Sequence, residues 1–87
     1  MDLTDYRKQI DMIDDELLRL FKERMDVAKK VALYKKNNDL PVLNAEREAE
    51  KLKDVNDKAG DEFAGYAQIL FKTLMELSRA YQEECIT

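Results

Sequence analysis

The side chains best placed to do chemistry are charged residues at positions where an apolar residue is expected. Arg24 stands between Leu20 and Val27 in a row of apolar residues at helical spacing, and its neighbours three and four positions away are all apolar. Burying an unpaired guanidinium costs several kcal/mol, so Arg24 needs an anion from another element or from a ligand. Lys35 follows eleven residues later, about 20° around the helix axis and ~16 Å along it. These two cations therefore share one face and can converge on a small molecule between them.

Other polar groups occur at comparable positions further along the chain. Glu48 occupies the slot between Ala45 and Leu52 in an apolar row of a second helix, next to Arg47, and Ser78 and Gln82 lie four residues apart on a third. Cations, one carboxylate and neutral hydrogen-bonding groups, in a sequence without histidine, make a poor hydrolase or redox site. They make a good pocket for a small polyanion that carries a hydroxyl group. Its means of catalysis would be positioning and electrostatic stabilisation.

Arg7 is a further cation, but it is far from the first pair. It lies ~25 Å from Arg24 along the helix and about 100° away around its axis. Arg7 cannot serve the same pocket within one chain. In an antiparallel dimer it could serve the pocket of the partner.

Each of these side chains also has a plain structural interpretation. Three of them could form ordinary ion pairs within the chain: Arg7 with Asp11, Glu48 with Lys51, and Arg24 with Glu76 or Glu83. The others, Arg47, Ser78 and Gln82, could simply be helix-surface residues. The hypothesis of a site therefore depends on the constellation as a whole.

Composition limits the class of protein. The 87 residues suffice for a single domain, residues 1–87, whose core would be marginal alone. A net charge of −4 argues against nucleic-acid binding, which needs a basic surface. No stretch is apolar enough to cross a membrane and the N-terminus does not resemble a signal peptide, so we expect a cytoplasmic protein. The single cysteine, Cys85, has no disulfide partner and no neighbouring metal ligand, so we expect no metal site.

The apolar pattern predicts an all-α fold with one long, one short and one medium helix. The first is expected from about residue 4 to residue 36, where Asn-rich sequence and Pro41 end it. The second is expected from a cap at Asn44 to about Lys58, and Gly60 closes it. Asp61 is a candidate cap for the third helix, whose apolar residues are Phe63, Ala67, Leu70, Leu74, Leu77 and Tyr81.

The length of the first helix predicts an oligomer. It would be roughly 50 Å long, whereas a compact domain of this size has a radius of gyration of about 12 Å. One chain cannot cover so long an apolar face, so we expect an intertwined helical homodimer.

The sequence resembles the all-α chorismate mutases over nearly its whole length. The resemblance is carried by "YRKQIDMIDDELLRLFKERMDVAKKVALYK", "LPVLNAEREAEKL" and "LFKTLMELSRAYQ". It implies a dimer of three-helix chains that rearranges chorismate to prephenate in one [3,3] step, without a cofactor or a covalent intermediate.

The resemblance also implies roles for individual residues. Arg7 would bind a substrate carboxylate across the dimer and Arg24 a carboxylate within its own chain. Lys35 would contact a carboxylate and the ether oxygen, and Gln82 would be the second donor to that oxygen. Glu48 would accept a hydrogen bond from the ring hydroxyl. Around them, the pocket would be lined by Arg47, Ser78 and Asn44, the last standing where many family members have an acidic residue.

Two other functions compete with the mutase. One is an isochorismate pyruvate-lyase of the same fold, whose site is also cationic; the R-E pair and Gln82 favour the mutase. The other is a non-catalytic helical dimerisation module. That alternative would leave Arg24 and Lys35 on an apolar face without a reason.

Overall fold

The computed structural model describes residues 1–87 as three helices without strands. Helix α1 spans Leu3–Asn37, α2 spans Ala45–Ala59 and α3 spans Ala64–Ile86. The all-α class and the order of one long, one short and one medium helix, predicted from the apolar pattern, are confirmed.

Helix α1 is defined at both ends by local polar groups. Asp2 and Asp5 form a reciprocal capping box, in which Asp5 N donates to Asp2 Oδ1 at 3.0 Å and Asp2 N to Asp5 Oδ2 at 3.2 Å. Lys35 and Lys36 lie in the last turn, where positive charge complements the helix dipole. The predicted limits of the first helix are therefore confirmed to within a residue.

Helix α2 begins at the predicted cap. The side chain of Asn44 accepts a hydrogen bond from Arg47 N at 3.1 Å, which satisfies one of the free donors of the first turn. Because Arg47 and Glu48 lie in that turn, the cap also fixes where these two residues point.

This cap gives a stability prediction. Asn44→Ala should lower the free energy of unfolding by about 1 kcal/mol, because the amide of Arg47 loses its acceptor. Asn44→Asp keeps an acceptor and adds negative charge at the helix N-terminus, so it should match or exceed the wild type. Urea titrations of the three proteins at one fixed concentration measure the difference. Equal midpoints for Asn44→Ala and the wild type would contradict the role of the cap.

At the junction between α2 and α3, the end of α2 is as predicted but the start of α3 is not. Gly60 closes α2 with a positive φ of 79°, as expected for glycine. The next residues form a turn in which Phe63 N and Ala64 N both donate to Gly60 O, at 3.2 and 2.9 Å. Helix α3 therefore starts at Ala64 after Phe63, without a side-chain cap, and the expectation that Asp61 caps it is wrong.

A small core lies where α3 packs against both α1 and α2. Its buried apolar members are Ala28, Ala32, Val42, Val55 and Met75. The two alanines allow α3 to approach the C-terminal half of α1 closely. The N-terminal half of α1 extends beyond this core, and the molecule measures 55 Å along its longest axis.

Most of the apolar row of α1 is exposed in the single chain. The exposed members are Leu3, Tyr6, Ile10, Ile13, Leu17, Leu20, Val27, Val31 and Tyr34, which we call the α1 stripe. The radius of gyration is 16.0 Å, well above the ~12 Å of a compact domain of this length. The prediction that one chain leaves much of this face uncovered is confirmed, and the second copy that would cover it stays a prediction.

Candidate active site

One cavity of about 570 Å³ lies between the C-terminal half of α1, the start of α2 and the C-terminal half of α3. Seven of the eight residues that the sequence singled out line it: Arg24, Lys35, Asn44, Arg47, Glu48, Ser78 and Gln82. The fold thus brings together residues that are up to 58 positions apart in the chain. The eighth, Arg7, lies exposed near the start of α1, outside this cavity.

The cavity is strongly cationic although the chain is acidic overall. Its walls carry five cationic side chains and only two carboxylates, those of Glu23 and Glu48. Three of the cations, Arg24, Lys35 and Arg47, form no ion pair with any carboxylate. Unpaired positive charge in a partly enclosed space favours the binding of a small anion.

Arg24 is half-buried in the wall formed by α1. No carboxylate lies within 4 Å of its guanidinium, and the alternative ion pairs with Glu76 or Glu83 do not form. Arg24 therefore keeps its donors available for a ligand.

Lys35 lies in the last turn of α1 and points toward the loop that leads to α2. Its Nζ donates to the backbone oxygen of Val42 at 2.6 Å. An ammonium group has three donors, so this bond positions the group and leaves others for a ligand.

Glu48 has a partner that the sequence reading missed. Arg79 of α3 pairs with it, and Arg79 Nη1 approaches both carboxylate oxygens, with Oε2 at 2.6 Å. The alternative ion pair of Glu48 with Lys51 does not form, and Lys51 lies 3.5 Å from Asp54 instead. The pKa of Asp54 is lowered from its ordinary value, chiefly by its hydrogen bond from Lys58.

Ser78 and Gln82 form the floor of the cavity. Both are buried, 9% and 6% exposed, which excludes the alternative that they are helix-surface residues. Gln82 Nε2 donates to Ser78 Oγ at 3.0 Å, while Gln82 Oε1 is buried without a hydrogen-bond partner. A buried amide with an unused acceptor and a second N–H is prepared to bind a polar ligand atom.

Arg47 and Arg7 are exposed cations. Arg47 lies at the rim of the cavity in the first turn of α2, and Arg7 forms no ion pair with Asp11. Nothing within the chain therefore engages either guanidinium.

The pattern of the chorismate mutase type II family matches residues 6–83, which include all eight of these residues. The chain belongs to this family. The family and the enzyme class expected from the sequence, an isomerase of aromatic amino-acid biosynthesis, are confirmed.

Two curated relatives are similar to this chain. A chorismate mutase of Methanocaldococcus jannaschii is 33% identical over 86 residues, covering 94% of this chain and 85% of its own length. A bifunctional chorismate mutase/prephenate dehydratase of Aquifex aeolicus is 45% identical over 49 residues, which is 56% of this chain. The matched part is 14% of that larger protein. No solved structure gives a significant match.

The chain has neither a helix suited to span a membrane nor a cluster of metal-binding side chains. None of the three helices combines the length and apolar character needed to cross a bilayer. No cluster of three or more acidic, histidine or cysteine side chains is placed to hold a metal ion.

Proposed function

We propose that this chain catalyses the rearrangement of chorismate to prephenate in the cavity between α1, α2 and α3, completed by Arg7 of a second copy. The proposal rests mainly on three cations, Arg24, Lys35 and Arg47, which line one cavity and form no ion pair. They do so in a chain whose net charge is −4. Chorismate is a dicarboxylate with a ring hydroxyl and an ether oxygen. Each of these groups has a complementary side chain in the proposed site.

The first task of the site is to select a compact conformer of the substrate. Arg24 binds one carboxylate from its own chain, and Arg7 of the second copy binds the other. Holding both ends brings together the two carbons that must bond, which converts an improbable conformer into the bound one.

The second task is to stabilise charge on the breaking bond. As the C–O bond breaks and the new C–C bond forms, negative charge grows on the ether oxygen. Lys35 Nζ and an N–H of Gln82 donate to that oxygen, and they stabilise the transition state more than the substrate. Rotation of the Gln82 amide by 180° would let Ser78 Oγ donate to Oε1 and free both N–H donors of the amide.

The remaining groups orient the ring. Glu48 accepts a hydrogen bond from the ring hydroxyl, and Arg47, Asn44 and Ser78 complete the wall. No proton is transferred and no covalent intermediate forms, so the proposed mechanism needs no histidine, metal or cofactor.

The second copy is proposed because of the α1 stripe. The nine apolar side chains of the α1 stripe are exposed in the single chain, and an antiparallel α1 of another copy would cover them. Such a partner also carries Arg7 to the cavity, which Arg7 of the same chain cannot reach from ~25 Å along the helix.

A dimer of this kind should dissociate and unfold in one event. The midpoint of thermal unfolding is expected to rise with protein concentration, because the folded chain is stabilised by association. Calorimetric scans over a hundredfold range of concentration, with sedimentation as a check on mass, measure this. A folded monomer with a concentration-independent midpoint would contradict the dimer.

Product analysis tests the proposed function. The protein is incubated separately with chorismate and with isochorismate, and products are identified by NMR. We expect prephenate from chorismate. Pyruvate released from isochorismate, without prephenate from chorismate, would favour the lyase, and no turnover of either compound would favour the dimerisation module.

The cytoplasmic location stays a prediction.

A further inference from the structure

The ion pair between Glu48 and Arg79 differs from every other ion pair in the chain. The other four join residues three or four apart on one helix. Glu48 and Arg79 are 31 positions apart and connect α2 to α3. Their side chains are only 25% and 33% exposed, and both lie on the cavity wall.

The position of Glu48 creates an electrostatic problem that Arg79 solves. A carboxylate on the wall of a cavity that receives a dicarboxylate would repel its ligand, and partial burial strengthens that repulsion. A guanidinium in contact with both of its oxygens cancels most of this charge. Each oxygen retains a lone pair, so the neutralised carboxylate can still accept a hydrogen bond from a ligand hydroxyl.

No other cation does this for Glu48. Lys51, the lining cation on the same helix, is paired with Asp54. Arg47, next to Glu48 in sequence, is exposed and forms no ion pair. The neutralisation of Glu48 therefore depends on Arg79.

We propose that Arg79 is a positioning residue, which neutralises Glu48 and fixes the direction of its carboxylate toward the ring hydroxyl of the substrate. This inference rests on the proposed function. It predicts that the contribution of Arg79 to catalysis acts through Glu48 and disappears when position 48 carries no charge.

A double-mutant cycle tests this with chorismate as substrate. Arg79→Ala should lower kcat/KM about tenfold, mainly by raising KM, because the bare carboxylate of Glu48 repels the dianion. In the Glu48→Gln background, the same substitution should change kcat/KM less than about twofold. Arg79→Lys should recover most of the activity, since the observed pair uses a single nitrogen of Arg79.

Lys58→Ala is the matched control. Like Arg79→Ala, it removes a cation and breaks an ion pair, here with Asp54 on α2. Because Lys58 does not line the cavity, kcat/KM should be unchanged. If Arg79→Ala loses its helical circular dichroism, Arg79→Met carries the same comparison.

The outcomes separate this inference from the proposed function. A wild type that does not convert chorismate overturns both. A wild type that does, with Arg79→Ala either harmless or equally harmful in the two backgrounds, overturns only the role of Arg79.

Discussion

Arg7→Ala and Arg24→Ala proteins, each nearly inactive alone, should recover about a quarter of wild-type activity when mixed and allowed to exchange subunits. Each substitution alone leaves one substrate carboxylate without its charge-assisted partner in every pocket. In a mixed dimer, one pocket has Arg24 from its own chain and Arg7 from the other, so it is intact. The second pocket lacks both arginines. Half of the dimers are mixed at statistical exchange, and each contains one good site.

The design includes its own control. Arg24 and Lys35 line the same cavity of the same chain, so mixing Arg24→Ala with Lys35→Ala leaves one defect in every pocket. That mixture should recover nothing. Subunit exchange is verified by mass spectrometry of a tagged chain. No recovery in the first mixture after verified exchange would contradict a site shared between two copies.

Lys35→Ala should lower kcat by about 10²–10³-fold, equivalent to about 3–4 kcal/mol of transition-state stabilisation. The ammonium group opposes the negative charge that grows on the ether oxygen, and alanine leaves that charge with only the Gln82 amide. The substitution also removes the hydrogen bond to Val42 O, so unfolding must be measured alongside activity.

Lys36→Ala provides the comparison. Lys36 is the next residue, exposed on the last turn of α1 and outside the cavity. It should be as active as the wild type. An unchanged kcat/KM in Lys35→Ala would remove Lys35 from the mechanism.

Local sequence patterns were sufficient to predict the helices. The four-three spacing and the capping residues located α1 and α2 because these signals involve neighbours on one helix. The start of α3 was harder, since the choice between an Asp61 cap and the observed turn depends on which amides bond to Gly60 O. The type of side chain at Asp61 does not by itself show whether the helix uses it as a cap.

The candidate site was predictable where one helix displays the anomaly. Arg24 stood out because its helical neighbours are apolar. Lys35 stood out because it lies on the same face as Arg24, and Ser78 and Gln82 because they share a face of the third helix. Arg79 was missed because its partner is on another helix, and helical spacing says nothing about pairs between helices.

A signal for Arg79 was present nonetheless. A carboxylate in a core-facing row, as at Glu48, needs a cation as well as a ligand. A search of the other helices for that cation would have included Arg79, beside Ser78. The cover of the α1 stripe, by contrast, is a property of an assembly, and the homodimer was predicted from the length of α1 and its apolar face rather than from contacts within one chain.

The proposed mechanism requires a cavity that is complementary to the transition state of the rearrangement. The most direct measurement is calorimetric titration with a stable bicyclic ether dicarboxylate that has the compact bridged shape of that state, compared with prephenate. We predict one molecule bound per chain, at least about 100-fold more tightly than prephenate, with most of that preference lost in Lys35→Ala. Binding no tighter than that of prephenate, or equally tight in Lys35→Ala, would contradict the account.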